Sequence, residues 1–233
     1  MERKLLLIAG SVISLLGCAV APTHFVDVDW AKTKPTTKLK VYVQMGKVEN
    51  PDDLADDLPK YAANFMDYFT PRFTNSLDAA LPVPLDVVVL SKDSFKSEQV
   101  LITDIDTLKV KIPKTCDASD GVVLVVGPWH FERSLEFQKR CPIGEMGCVE
   151  GPVVKYRPDG MPSTYKEIKG LRMAGAYSYY DCKSSTYMGY GRIQSDDTFN
   201  FYMDSTNWEK VIDQLPEILL KDTPYFVADS ERQ

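Results

Sequence analysis

Two short apolar runs, rich in β-branched residues, constrain the fold of this chain more than any other feature. Residues 87–90 are Val-Val-Val-Leu, and residues 122–126 are Val-Val-Leu-Val-Val. Continuous apolar runs of this length are typical of strands whose two faces are both covered. We therefore predict that both runs form central strands of a sheet with packed layers on its two sides.

Periodic patterns on either side of these runs predict the next elements. Alternation from Leu39 to Val43 predicts a first strand, and residues 105–112 predict a peripheral one. Apolar residues recur every three to four positions from Leu58 to Leu81, which predicts an amphipathic helix with a buried aromatic stripe. Pro71 lacks the amide for an internal helix bond, so we expect a kink or a restart there, with Thr70 as the cap.

The C-terminal third predicts a hairpin followed by a helix. Gly170 to Cys182 and Thr186 to Gln194 are strand-like and are joined by three residues. Residues 206–209 have the form of a capping box, so we expect a helix there that carries Trp208 on its apolar stripe and bends at Pro216. The element order predicts one layered α/β (α+β) domain with a mixed sheet, a long N-terminal helix and a C-terminal helix packed on it, and a disulfide-stapled loop; it is not doubly wound.

The N-terminus has the pattern of a leader that ends in Leu15-Leu16-Gly17-Cys18. Its apolar run from Leu5 to Leu16 is too short to span a bilayer, which needs about 20 residues. This pattern resembles the lipobox of bacterial lipoprotein signal peptides. The resemblance implies cleavage before Cys18, a diacylglycerol thioether on its sulfur and a fatty acyl group such as palmitate on its amino group. Multiple acyl chains are sufficient for stable membrane anchoring.

These features divide the chain into a signal peptide (1–17), a lipidated N-terminus and tether (18–38) and a periplasmic α/β domain (39–233). The tether assignment rests on its prolines and its lack of sustained periodicity. Residues 25–30 alternate apolar and acidic side chains, however, so this part could instead pack as an edge strand. Both interpretations are open at this point.

Four cysteines remain after Cys18, and an even number in an exported chain indicates disulfide bonds. Three pairings are possible. The segment from Cys141 to Cys148 is rich in turn-forming residues, which favours a local bond and leaves Cys116 to pair with Cys182. We therefore expect residues 132–159 to form an excursion that a disulfide bond holds in place.

The order of elements behind a lipobox resembles that of periplasmic lipoproteins of the LpoB type and the α/β domain of the curli secretion lipoprotein CsgG. The resemblance covers roughly residues 39–220. It implies a periplasmic domain that docks another envelope protein. The chain has no identifiable counterpart of the CsgG membrane-spanning strands, and its cysteine-rich insertion belongs to neither family, so pore formation and the identity of a partner do not carry over.

The sequence offers little catalytic chemistry. His24 and His130 are the only histidines, and no Gly-x-Ser-x-Gly, phosphate-binding loop or Cys-x-x-Cys motif is present. We predict no enzymatic activity, no metal and no cofactor apart from the covalent lipid on Cys18. The four aspartates between Asp52 and Asp57 match no EF-hand spacing, so a solvated loop is the preferred interpretation. A net charge of −6 with scattered Lys and Arg argues against binding to nucleic acid.

Five tyrosines lie on the predicted hairpin, where rigid amphipathic rings would suit the recognition of a partner. We predict that Tyr179 and Tyr187, or the final helix around Trp208, contact that partner. The alternative is that half of the rings pack under the helices and half shield the sheet.

Together these observations predict a non-catalytic outer-membrane lipoprotein on the periplasmic face. Its domain would dock an envelope protein for assembly or regulation, and it could oligomerise. Ala19, in place of an Asp retention signal after Cys18, implies sorting to the outer membrane. The alternatives are a lipoprotein that binds peptidoglycan or a small ligand, and an envelope hydrolase.

Overall fold

The structure is a computed structural model that describes residues 24–35, 38–44, 59–103, 106–139, 153–154, 165–199 and 203–227. Its strands and helices, in chain order, are β1 (His24–Val26), α1 (Val28–Ala31), β2 (Leu39–Gln44), α2 (Pro59–Ala63), α3 (Phe65–Ala80), β3 (Leu85–Leu90), β4 (Phe95–Leu101), β5 (Thr107–Pro113), β6 (Val122–Lys139), β7 (Val153–Val154), β8 (Tyr165–Asp181), β9 (Thr186–Phe199), α4 (Ser205–Asp213) and α5 (Leu215–Leu220).

The main sheet is mixed, as predicted. Its strands follow the order β1-β9-β8-β6-β2-β3, and β7 pairs with β6. β2 runs parallel to both β3 and β6, whereas the β6–β8, β8–β9 and β1–β9 pairs are antiparallel. The parallel β2–β3 pair requires a crossover connection, which contains α3. The predicted hairpin is present as β8 and β9.

One face of the sheet is covered by α3, α4 and α5, which confirms the layered α/β architecture. Alternate residues of β2 and β6 contribute to the core beneath these helices, and so does the predicted aromatic stripe of α3. Those residues are almost completely buried: Leu39, Val41, Val43, Leu124, Val126, Phe65, Phe69, Phe73 and Leu77.

The opposite face is covered by a separate antiparallel hairpin of β4 and β5. The sequence predicted β5 but not β4, because β4 is mostly polar and lacks a regular apolar alternation. Phe95 of β4 packs against Tyr42, Val123 and Val125. The Ser178 hydroxyl donates to the carbonyl of Lys111 at 2.6 Å, which joins β8 to β5.

A disulfide bond between Cys116 and Cys182 fastens this second layer to the main sheet, as predicted. The two Cα atoms are 5.6 Å apart, and the cysteines are separated by 66 positions in the chain. Cys116 follows β5 and Cys182 follows β8, so the bond ties the end of the hairpin to the sheet. The predicted Cys141–Cys148 bond lies outside the described residues.

The long helix is interrupted at Asn64 and not at Pro71, where we predicted the kink. Asn64 is the N-cap residue of α3, and its carbonyl accepts from the amide of Asp67 at 3.1 Å. Pro71 lies inside α3 and costs one internal hydrogen bond. Phe69 and Phe73, on either side of it, are both completely buried, and their packing keeps the helix continuous.

The final helix also begins and divides differently from the prediction. Asp204, two residues before Thr206, is the N-cap: its Oδ1 accepts from the Thr206 amide at 2.8 Å. Asn207 Oδ1 accepts in turn from the Asp204 amide at 3.0 Å, which completes a capping box. Pro216 does not bend one helix but lies in the first turn of a second, α5, after a break at Gln214.

Two strand positions change the predicted architecture. β6 is central, as predicted, but β3 is at an edge because β2 lies between them. In the predicted tether, His24–Val26 forms an edge strand against β9, with Phe25 opposite Tyr190. The edge-strand alternative for residues 25–30 is therefore correct for Phe25 and Val26 only, because Val28–Ala31 forms α1; Cys18 lies outside the described residues.

Candidate functional site

The tyrosines of the β8–β9 hairpin are divided between the two layers. Period-two alternation places Tyr177 and Tyr179 under the helices. Tyr180, Tyr187 and Tyr190 lie on the other face, against residues of the second layer. The alternative interpretation, in which some rings pack under the helices and the others cover the opposite face of the sheet, therefore describes these tyrosines better than the prediction of an aromatic recognition surface.

The prediction that Tyr179 contacts a partner is corrected by its position. Tyr179 is completely buried, and its hydroxyl donates to the carbonyl of Leu219 at 3.1 Å. Burial raises the pKa of this phenol well above its ordinary value. Tyr187 is half-buried, and its hydroxyl donates to Glu98 of β4 at 2.8 Å. The residues around Tyr187 gave no indication in the sequence that β4 and β5 would pack over β9.

The outer strands of the two sheets differ in how open they are to further pairing. Natural sheets protect their edges with very short strands, charged side chains or proline. β1 has three residues and β7 has two. β4 and β5 are longer, but they carry charges along their length and β5 ends in a proline: Lys96, Glu98, Lys109, Lys111 and Pro113.

β3 has fewer of these protections: it is six residues long, contains no proline and carries one charged side chain. All six of its residues, Leu-Asp-Val-Val-Val-Leu, are partly exposed. Val87 and Val89 contact the core under the helices, and Val88 and Leu90 contact the core under the β4–β5 hairpin. Asp86 is its one charged residue, and Lys38 pairs with it at 3.1 Å. Among the described residues, no strand lies beyond β3.

The hydrogen bonding of β2 shows which backbone groups of β3 point outward. Leu39 is opposite Leu85, and its amide donates to the carbonyl of Pro84 at 3.0 Å. Successive residues of a strand alternate in direction, so the amides of residues 86, 88 and 90 point towards β2. The N–H and C=O groups of Val87 and Val89 therefore point away from the sheet, where a further strand would bind.

The described residues offer no cluster suited to metal binding. They contain no group of three or more His, Cys, Asp or Glu side chains that could hold a metal ion. His130 lies within β6, is partly exposed, and is 3.6 Å from Glu132. The helices that the structure describes are all too short or too polar to cross a membrane.

Comparisons with known proteins add little to this description. No family model and no curated protein matches the chain. Among solved structures, one match is a protein described as a neuraminyllactose-binding hemagglutinin homolog from Helicobacter pylori. It has 10% sequence identity and a TM-score of 0.33, and the match covers 80% of this chain and 84% of that one.

Proposed function

We propose that this protein is a non-catalytic, lipid-anchored docking domain of the outer membrane, facing the periplasm. In this proposal β3 binds an extended segment of another envelope protein as an added strand. Strand addition takes its affinity from backbone hydrogen bonds and its specificity from side-chain contacts. The occupant is an apolar segment of about six residues, because β3 leaves aliphatic side chains partly exposed on both of its faces.

The observation that carries the proposal is the open edge position of β3. Its Val-Val-Val-Leu run is typical of a strand covered on both faces, yet all six residues of β3 stay partly exposed, and β2 is its only neighbouring strand among the described residues. An added strand would cover more of these aliphatic side chains. The same strand would satisfy the outward N–H and C=O groups of Val87 and Val89.

The position of the anchor is compatible with this arrangement. Cys18 precedes β1 by six residues, which span at most about 20 Å. β1 and β3 occupy opposite edges of the main sheet, five strand intervals apart, or about 24 Å at the usual spacing between strands. A lipid on Cys18 would therefore hold the β1 edge near the membrane and leave the β3 edge accessible.

We expect Val89→Pro to weaken partner binding at least tenfold (about 1.4 kcal/mol) while the domain stays folded. Proline removes an outward amide that β2 does not use, and its ring obstructs the incoming strand. Binding can be measured in native membranes with a photoreactive residue in place of Lys92, which is exposed and follows β3. Placing the same group at Lys183, in the β8–β9 turn, controls for non-specific crosslinking.

Val88→Pro is the matched variant for this test. Its amide points towards β2, so the substitution removes a ladder bond and should lower the melting temperature far more than Val89→Pro does. If Val89→Pro retains the crosslinked partner at full yield while melting like the wild type, the β3 edge is not the docking site. A crosslink to a second copy of this chain would instead indicate that the protein self-associates through this edge.

Lipidation has its own test. We expect Cys18→Ser to abolish acylation and release the protein from the membrane, because the apolar run before it is too short to act as an anchor. Intact-mass measurement and membrane fractionation of the two forms check this. A wild-type mature protein whose mass includes no acyl chains would rule out the anchor and leave the β3 proposal to be tested separately.

A further inference from the structure

The exposed large apolar side chains are unevenly distributed over the described residues. Those that are at least 39% exposed are Phe25, Val28, Tyr68, Leu101 and Phe226. Phe25, Val28 and Leu101 belong to β1, α1 and the last position of β4. Single exposed apolar residues are common on protein surfaces, whereas a contiguous group of them marks an interaction site.

Direct contacts bring these side chains together at the β1 edge. The Phe25 ring stacks on Tyr190 of β9 at a centroid distance of 5.1 Å. The Tyr190 hydroxyl donates to the carbonyl of Leu101 at 2.7 Å, which places the end of the β4–β5 hairpin beside β1. Val28 follows Phe25 by three residues, so their Cα atoms are at most about 11 Å apart. We call Phe25, Val28, Tyr190 and Leu101 the edge patch.

The ion pairs that border the edge patch contribute no excess of either charge. They are His24 with Asp222 at 2.9 Å, Arg192 with Asp106 at 2.7 Å and Lys32 with Asp29 at 4.0 Å. The carboxylate of Asp27, between Phe25 and Val28, accepts from two amides of α1. An occupant of the edge patch would therefore be held by apolar contacts and not by ionic attraction.

The proposed anchor identifies the occupant. Cys18 lies at most about 20 Å along the chain from His24, the residue before Phe25. Acyl chains on Cys18 insert into the bilayer, so the edge patch is held within a short distance of an apolar phase. Phenol and phenyl rings suit the boundary of that phase, where one end of a tyrosine contacts apolar groups and the other contacts water.

We propose that the edge patch contacts the surface of the bilayer as a second attachment beside the lipid; the inference rests on the proposed anchor. Phe25, Val28 and Leu101 enter the boundary between headgroups and acyl chains, and Tyr190 lies at the level of the headgroups. Interfacial elements of this kind are buried about 5–10 Å. Two attachments fix the orientation of the domain, and β3, at the opposite edge of the main sheet, is turned away from the membrane.

Quenching by brominated phosphatidylcholine tests this contact. A fluorescent amino acid, excited apart from tryptophan, replaces Thr107, which is exposed and lies opposite Leu101. The control position is Lys92, exposed and next to the β3 edge. In vesicles that carry the lipidated protein, brominated lipid should lower the emission at position 107 about twofold, because an interfacial group lies near the acyl chains. Emission at position 92 should not change.

The double substitution Phe25→Ser, Leu101→Ser should abolish the quenching at position 107. Its melting temperature should differ little from that of the wild type, because both side chains are already exposed. Tyr68→Ser, which changes an exposed ring on α3, is the matched control and should leave the quenching intact. Full quenching in the double variant would overturn the proposal. A dimer on the vesicles that disappears in the double variant would instead assign the edge patch to self-association.

Two further measurements separate this contact from the anchor and from ionic attraction. The Cys18→Ser form can be tethered by a polyhistidine tag, in place of residues 1–17, to a nickel-chelating lipid. Quenching at position 107 in the tagged form would support the contact even if the natural protein carries no acyl chains. An unquenched probe in both tethered forms would overturn it. Quenching that requires the anionic lipid phosphatidylglycerol would overturn the apolar basis of the contact.

Discussion

Loss of the Cys116–Cys182 disulfide should lower the free energy of unfolding by about 4 kcal/mol. The bond closes a loop with a sequence separation of 66, and restriction of the unfolded chain by a loop of this length gives an effect of that size. We expect it in the double substitution Cys116→Ala, Cys182→Ala. Alanine is preferred to serine because Cys182 is buried, and a serine hydroxyl there would add its own cost.

Denaturant unfolding of the oxidised wild type, the reduced wild type and the double variant measures this effect. Both forms that lack the bond should have midpoints well below that of the oxidised protein, and the reduced wild type, which would also lose the predicted Cys141–Cys148 bond, should have the lower of the two. If reduction leaves the wild-type midpoint unchanged, the bond does not constrain the unfolded chain, and the second layer is held on by its packing alone.

Trp208→Ala should lower the free energy of unfolding by roughly 3–5 kcal/mol, about as much as loss of the disulfide bond. Trp208 is 1% exposed and lies where the helices meet the sheet. Its ring stacks on Phe131 at a centroid distance of 4.9 Å and meets Phe65 edge-on at 5.5 Å. Alanine would leave a cavity between α3, α4 and β6 that rigid neighbouring rings cannot fill.

Tyr68→Ala is the matched control for this substitution. Tyr68 also takes part in an aromatic pair, with Tyr61 at 4.3 Å, but it is 39% exposed and leaves no enclosed cavity. In thermal and chemical unfolding, this variant should lose only about 1 kcal/mol of the free energy of unfolding. Comparable losses in the two variants would indicate that Trp208 contributes through local helix contacts and not through the core.

The sequence predicted the elements whose patterns are strictly local. The alternation of β2, the aromatic stripe of α3 and the β8–β9 hairpin all follow from side-chain periodicity, which depends only on neighbours along the chain. The capping box was expected two residues too late because Thr206 and Asp204 are both good cap residues. The Thr206 and Asn207 amides both donate to the Asp204 carboxylate, which makes Asp204 the cap.

The candidate site was predicted only in part. Docking of an envelope protein was expected at the tyrosine hairpin, where Tyr179 proves to be part of the core. The Val-Val-Val-Leu run was identified and placed at the centre of the sheet. The position of β3 in the sheet depends on which strand pairs with the other side of β2. That strand is β6, and the β2–β6 pairing joins residues more than 80 positions apart, such as Val43 and Val126.

The sequence by itself therefore determined the type of most strands and helices and the mixed layered α/β class, because periodicity is a property of the chain, and it favoured the pairing of Cys116 with Cys182 among three possible ones. Only the tertiary structure decided which residues are accessible. It buried Tyr179, covered Tyr187 with β4 and left β3 at an edge. Burial is fixed by contacts between distant segments, and a local pattern shows which side of a strand is apolar but not what lies against it.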